Sequence, residues 1–168
     1  MLFFTTLGAH TKGGWMYYSY LGPGIAPNTA RYKITLKIAT KCILDNPAQF
    51  CSSVIISIFK GDNYQLQERQ SVLYTSSVDI HNCNLPQCHP CTSFIPDLCV
   101  KITTYEFIKD LPITPQGFII SYQRCCRISG IINMKPPSDQ VGDTWTINIP
   151  GNAESPLAPL NSSAIFPQ

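Results

Sequence analysis

The strongest chemical signal in the sequence is a short segment rich in thiol and imidazole side chains. It contains four cysteines and two histidines: Cys83, Cys88, Cys91, Cys99, His81 and His89. Thiolates and imidazoles are the ligands of tetrahedral zinc sites, so the four cysteines form one candidate metal set. Such sites usually join two close pairs across a longer loop, whereas here one CxxC pair is flanked by single cysteines at irregular distances. Two local disulfides that clamp the loop are therefore the favoured interpretation, and zinc is the alternative.

The remaining four cysteines lie outside that segment, at Cys42, Cys51, Cys125 and Cys126. A total of eight in 168 residues is even and high, which is typical of a disulfide framework in an exported protein. The pairing stays open, because eight cysteines allow too many combinations. Adjacent cysteines point to opposite faces of a strand and would form a strained ring with each other. We therefore expect Cys125 and Cys126 to bond two different partners, with Cys42 and Cys51 as the natural candidates.

Two further groups of side chains suit ligand contact. Arg124 and Arg127 flank the double cysteine, and a planar guanidinium can grip a carboxylate or a sulfated sugar. Four aromatic residues near the start of the chain could line a sugar-binding face: Trp15, Tyr17, Tyr18 and Tyr20. Structural salt bridges and core packing are the commoner uses of both groups. We keep Arg124, Arg127, Trp15 and Tyr18 as candidate contacts to a surface glycan or a protein ligand.

Catalytic patterns are weak. The ten carboxylates are scattered, with no DxD or ExxE pair for acid–base chemistry, and no glycine-rich phosphate loop follows a strand. The twelve basic residues are also scattered singly, so no cluster is present to neutralise a run of phosphates. The sequence therefore predicts a protein that is not an enzyme, requires no cofactor and does not bind nucleic acid.

Strand patterns with turn residues between them recur along the chain. Residues 32–38 (YKITLKI) alternate strictly between apolar and polar, which is typical of a half-buried antiparallel strand. No segment has a sustained apolar period of 3.6, and fourteen prolines interrupt most candidate helices. About seven strands fit a two-sheet antiparallel sandwich stapled by disulfides, with a closed barrel as the main competitor. The clearest predicted strands are residues 32–38, 53–60, 71–80, 99–108, 117–126 and 145–149.

The composition and the two ends of the chain suggest export. Charged residues make up 13% of the chain, about half the usual share, and neutral polar residues replace them. Residues 1–9 are apolar and end in small side chains, like a signal peptide truncated at its start. Residues 10–151 form the expected sandwich domain, and residues 152–168 read as a linker or the start of a next domain. No stretch reaches the roughly eighteen apolar residues of a membrane-spanning helix.

Several motifs follow one another in an order that resembles a known family. They are His10-Thr-Lys-Gly-Gly14 with Met16-Tyr-Tyr, Tyr32-Lys-Ile-Thr-Leu-Lys-Ile38 leading into Cys42, Cys99-Val100, Tyr122-Gln-Arg-Cys-Cys-Arg127, and Asn161-Ser-Ser-Ala-Ile-Phe166. Together they resemble the N-terminal domain of large Bacteroidetes surface proteins, often described as gliding-motility-associated or type IX-secreted. The run from Tyr122 to Arg127 is the most specific of these motifs.

This resemblance implies an immunoglobulin-like sandwich in a larger exported chain, at the cell surface or outside the cell. Its first partners would then be the other domains of that chain. The sequence departs from the family where Ala164 replaces the usual proline and where residues 81–91 carry extra cysteines. The function expected from sequence is a non-catalytic adhesion or display module. The alternative is a carbohydrate- or ligand-binding module that serves an enzyme.

The disulfide framework makes a prediction that mass spectrometry can check. Alkylation of the denatured chain without reductant should modify few of the eight cysteines, because bonded sulfurs do not react. Intact mass before and after alkylation counts the reacted thiols. Eight modified cysteines would contradict the framework, and four or more thiols protected only while zinc is bound would favour the metal site.

Overall fold

The structure, a computed structural model, describes residues 11–41, 51–80, 99–125 and 141–151. Seven strands make up most of these residues: β1 (Thr11–Pro23), β2 (Thr29–Lys41), β3 (Ser53–Lys60), β4 (Leu66–Ile80), β5 (Val100–Pro112), β6 (Phe118–Arg124) and β7 (Asp143–Ile149). Every pair of hydrogen-bonded neighbours is antiparallel, and none of the described segments is helical. The predicted all-β, seven-stranded class is therefore confirmed. No helix of the described residues is long and apolar enough to cross a membrane.

The apolar alternation of β2 sets one wall of the core. Ile34, Leu36 and Ile38 are fully or almost fully buried, while Lys33 and Lys37 lie on the outer face. β3 shows the same period of two despite its continuous apolar sequence, because Ile56 and Ile58 are buried and Ile55 is 61% exposed. Burying one aliphatic side chain of this size contributes about 1.5–3 kcal/mol, so these alternating positions hold the two walls together.

The strands lie side by side in the order β1-β2-β5-β4-β3-β6-β7. β4 is the shared element, because its first half, Leu66–Leu73, pairs with β3 and its second half, Tyr74–Ile80, pairs with β5. A register shift between Tyr74 and Ser76 marks the change of partner. At this shift the Thr75 hydroxyl accepts a hydrogen bond from the backbone N–H of Glu106 at 3.2 Å, which takes the place of a backbone carbonyl on β4.

The two outer strands of this order meet and make the sheet nearly barrel-shaped. Trp145 on β7 lies against Gly14 on β1, where a side-chain carbon would stand 3.0 Å from the indole ring. Trp145 also stacks on Tyr122 of β6, with ring centroids 5.6 Å apart and planes inclined by 16°. Within the described residues no hydrogen-bonded ladder joins β1 to β7, so side-chain packing closes the sheet. The separation into two sheets of an immunoglobulin-like sandwich stays a prediction.

Several strand limits differ from those expected from sequence. β4 begins at Leu66 and β5 continues to Pro112, whereas residues 71–80 and 99–108 were the expected spans. β1 was not among the six clearest predictions, because Gly13 and Gly14 together with a run of aromatic residues obscure its period of two. The predicted segments 1–9 and 152–168 lie outside the described residues.

The closure of the sheet through Gly14 can be tested by substitution, and the neighbouring Gly13 provides a matched control. Gly14→Ala should lower the free energy of unfolding by about 1–3 kcal/mol, because packed cores resist added atoms. The added carbon would stand 2.6 Å from the carbonyl oxygen of Lys37 as well as against Trp145. Gly13→Ala meets nothing within 4 Å, and surface changes of that kind cost no more than about 0.5 kcal/mol. Urea unfolding followed by tryptophan fluorescence measures both; equal effects would contradict closure through Trp145.

Candidate ligand-binding cleft

A cleft opens at the end of the barrel where β4 and β5 part. Beyond Tyr105 the described residues provide no ladder partner for β5 on the β4 side, because β4 has crossed to β3. The resulting cavity measures about 510 Å³, within the range of small-ligand pockets. It is lined by the ends of four strands and the turns between them: Ile58, Lys60, Asp62, Gln67, Glu68, Lys109, Asp110, Leu111, Pro112, Thr114, Gln116, Gly117 and Phe118.

The floor of the cleft is apolar and its turns are held in place by backbone hydrogen bonds. Ile58, Leu111 and Phe118 form the floor and belong to the buried core. At the rim, the N–H of Gly61 donates to the carbonyl of Gly117 at 3.0 Å, which ties the turn after β3 to the turn before β6. A side chain at Gly61 would collide with the carbonyl of Gln116, and Gly117 has a φ of 65° that favours glycine. The site is therefore pre-formed and lies on tightly joined turns.

An ion pair crosses the mouth of the cleft. Lys109 occupies the same face of β5 as the buried Tyr105 and Leu111, yet its Nζ reaches β4 and contacts both carboxylate oxygens of Glu68, at 2.7 and 2.8 Å. The side chains are 25% and 44% exposed, so water screens the pair only in part. The ion pair therefore joins β4 and β5 at an inward position, where an apolar contact would be usual.

A second ion pair fixes the side of the cleft nearest β2. Arg31 grips Asp110 through two hydrogen bonds, of 2.7 and 3.0 Å, and the N–H of Ile25 donates to the same carboxylate at 2.9 Å. The Arg31 hydrogen bond, followed by that from Ile25, lowers the pKa of Asp110 to about 2. The carboxylate is thus ionised at neutral pH and surrounded by donors. It can orient the β1–β2 turn or a ligand, but it has no proton to give at neutral pH.

The candidate contact residues do not form one surface. Tyr18 is 8% exposed and its ring meets Tyr32 edge-on at 5.7 Å, so it belongs to the core and presents no surface to a ligand. Trp15 lies on the opposite face, half-buried, with the Lys37 ammonium 5.7 Å from its ring centroid. Arg124 ends β6, where its charge interacts with the phenol of Tyr122. Arg127 lies outside the described residues.

Three of the eight cysteines lie among the described residues, and Cys51 carries a free thiol. This corrects its expected place as a partner of Cys125 or Cys126. The Cys51 backbone is held just ahead of β3 by the Tyr105 hydroxyl, which donates to the Cys51 carbonyl at 2.7 Å. Burial also raises the pKa of the Tyr105 hydroxyl, which keeps it protonated as that donor.

Cys99 and Cys125 are each disulfide-bonded, but no disulfide has both of its cysteines among the described residues. The pairing of the framework therefore stays a prediction. A bonded sulfur offers no thiolate, which weighs against Cys99 as a zinc ligand. Its proposed companions Cys83, Cys88 and Cys91, like Cys42 and Cys126, lie outside the described residues. Within those residues no cluster of three or more potential metal ligands occurs.

The sequence interpretation missed the cleft, although one signal was present. Phe107, Lys109 and Leu111 share one strand face, so a lysine stands between two apolar neighbours at an inward position. An inward lysine needs a partner or an opening to water. Its partner Glu68 lay outside every predicted strand.

No protein-family model, curated protein or solved structure matches the chain, so the Bacteroidetes resemblance stays a prediction.

Acid titration tests the Arg31–Asp110 pair. Because the folded-state pKa of Asp110 lies below the ordinary value of 3.8, the pair stabilises the fold fully above that value. Its contribution is lost as pH falls toward about 2. Asp110→Asn should flatten this part of the stability profile, measured as the urea midpoint against pH. Asp62→Asn, which replaces an exposed carboxylate on the same rim, is the control and should leave the profile unchanged. Identical profiles for wild type and Asp110→Asn would contradict the assignment.

Proposed function

We propose that this chain is a non-catalytic adhesion or display module of a larger exported protein, with the cleft between β4 and β5 as its contact site. The observation that carries the proposal is the cleft itself, an open cavity with an apolar floor and with Glu68 and Asp110 held in ion pairs. Such a site holds a ligand by area and shape and fixes it with a few polar groups. Its ion-paired carboxylates suit binding better than proton transfer, which requires a group that exchanges its proton near the working pH.

The rest of the described sheet supports a display role. Charges of opposite sign are also paired across strands, as Lys33 with Glu106 at 3.0 Å on the outer face and Lys101 with Asp79 at 3.6 Å near the start of β5. Each exposed pair contributes only about 0–1 kcal/mol, so the buried core carries the stability. A barrel with low total charge, closed along β1 and β7, tolerates a changing environment because little of its stability depends on salt. That property suits a spacer outside the cell.

A glycan-binding module serving an enzyme receives less support from the geometry. Trp15 and Tyr17 share the outer face of β1, as a sugar platform requires. However, the Lys37 ammonium lies over the Trp15 ring, on a face where a sugar would stack. Tyr18 is in the core, so the aromatic set is divided between two faces. The cleft is the better contact site.

The proposal predicts both surface exposure and a contact role for the cleft. An antibody against the chain should label intact producing cells without permeabilisation. In those cells Gln67→Trp, which places a large ring on the cleft wall, should reduce attachment to a protein-coated surface by about tenfold or more, as loss of a contact worth 1.4 kcal/mol would.

Ser71→Trp is the control, because it places the same ring on the same strand at an exposed position outside the cleft lining. It should attach like wild type. Labelling that appears only after permeabilisation, or equal attachment of the two variants, would overturn the proposed function.

A further inference from the structure

We propose that the cleft accepts an extended peptide segment of another polypeptide as an additional strand between β4 and β5. This inference rests on the proposed contact site and names what that site takes. Its basis is a pair of strand edges that face each other across the cavity with no ladder between them.

The edge of β5 offers backbone hydrogen bonds to the cleft. The N–H of Glu106 points toward β4, because it donates to Thr75. In an antiparallel ladder, alternate residues direct both N–H and C=O to the same neighbour. Ile108 and Asp110 therefore direct theirs to the β4 side, where the described ladder has ended at Tyr105. On the opposite wall, Leu66–Leu73 pairs with β3 alone among the described strands, so its other edge faces the cleft.

The space between the edges is the cleft, a cavity of about 510 Å³. An inserted strand needs about 4.8 Å to each neighbour. Across the gap the described contact is between the long side chains of Lys109 and Glu68, and no ladder among the described residues joins the two backbones there. Alternate side chains of an entering strand would point down onto Ile58, Leu111 and Phe118. The others would point outward, so the ligand should be apolar at every second residue.

The Lys109–Glu68 pair then acts as a latch. Lysine and glutamate close the mouth when it is empty, and an entering strand must separate them. The cost is small, since both side chains are partly exposed and ion pairs of that exposure contribute little to stability. Weakening the latch should therefore strengthen peptide binding, although it removes an interaction of the folded protein.

The folded part of a second copy is a poor occupant. Strand addition requires a free edge on the incoming partner. The outer strands β1 and β7 share no ladder among the described residues, but they pack against each other through Gly14 and Trp145, so an incoming copy would have to separate them to offer an edge. An unstructured, extended segment meets the requirement without unfolding anything.

The test uses a random peptide library displayed on phage and panned against the immobilised chain. Enriched peptides should be apolar at alternate positions, and binding the best one should slow hydrogen exchange at the amides of Ile108 and Asp110. Ile108→Pro removes one cleft-facing N–H and should lower the affinity for that peptide by about tenfold, the equivalent of one hydrogen bond. Ile108→Thr keeps the N–H and is the control. Glu68→Gln, which weakens the latch, should bind more tightly than wild type.

A change in the peptide guards against a proline variant that fails to fold. The best peptide is remade with alternate amides N-methylated, which keeps its side chains and removes donors to one edge. It should lose binding to the unaltered protein. No enrichment, enriched sequences without alternation, binding that survives both methylation registers, or unprotected amides at Ile108 and Asp110 would each overturn the inference. Cell labelling and the Gln67→Trp attachment defect would survive such a failure, so the proposed function is tested separately.

Discussion

The structure depends on one constraint, the division of β4 between two partners. A strand has two edges, and β4 uses one of them for β3 and the other for β5, but along different halves of its length. The seven strands can then follow one another in a single curled order, and the outer two meet. The same division leaves β5 unpaired on that side beyond Tyr105 among the described residues. The closed wall and the open cleft therefore have a common origin in the register shift beside Thr75.

Closure and opening use different chemistry at the two ends of this arrangement. Where β1 meets β7, a glycine lets an indole ring pack against the neighbouring strand, and an aromatic stack with Tyr122 supports it. Where β4 leaves β5, the contact between the two strands is an ion pair of Glu68 and Lys109 instead of an aromatic stack. Apolar packing gives a permanent contact because exposure of a large ring to water is costly. A partly exposed ion pair gives a contact that can be exchanged at little cost.

The sequence predicted what is local and missed what arises between distant segments. The strict alternation in β2 correctly predicted which of its apolar side chains are buried, because a two-residue alternation can be recognised from neighbouring residues alone. The start of β4 was missed, since residues 66–70 are mostly polar and exposed on both faces and carry no period. The cleft depends on Glu68 and Lys109, which are far apart in sequence, and no local pattern connects them. Cys51 illustrates the same limit, because its thiol is free although its position in the sequence made it a natural disulfide candidate.

An open, inward-facing ion pair has a consequence for stability and binding together. A barrel that filled this gap with apolar side chains would gain burial but would have no room for a ligand. With Lys109 and Glu68 there, the empty cleft stays compatible with water, since exposed apolar edges invite aggregation and charged ones do not. The apolar floor beneath remains available once the pair opens. The fold thus buries less apolar surface at the cleft and keeps the rest of its core intact. This balance is expected of a stable scaffold that must also bind a ligand.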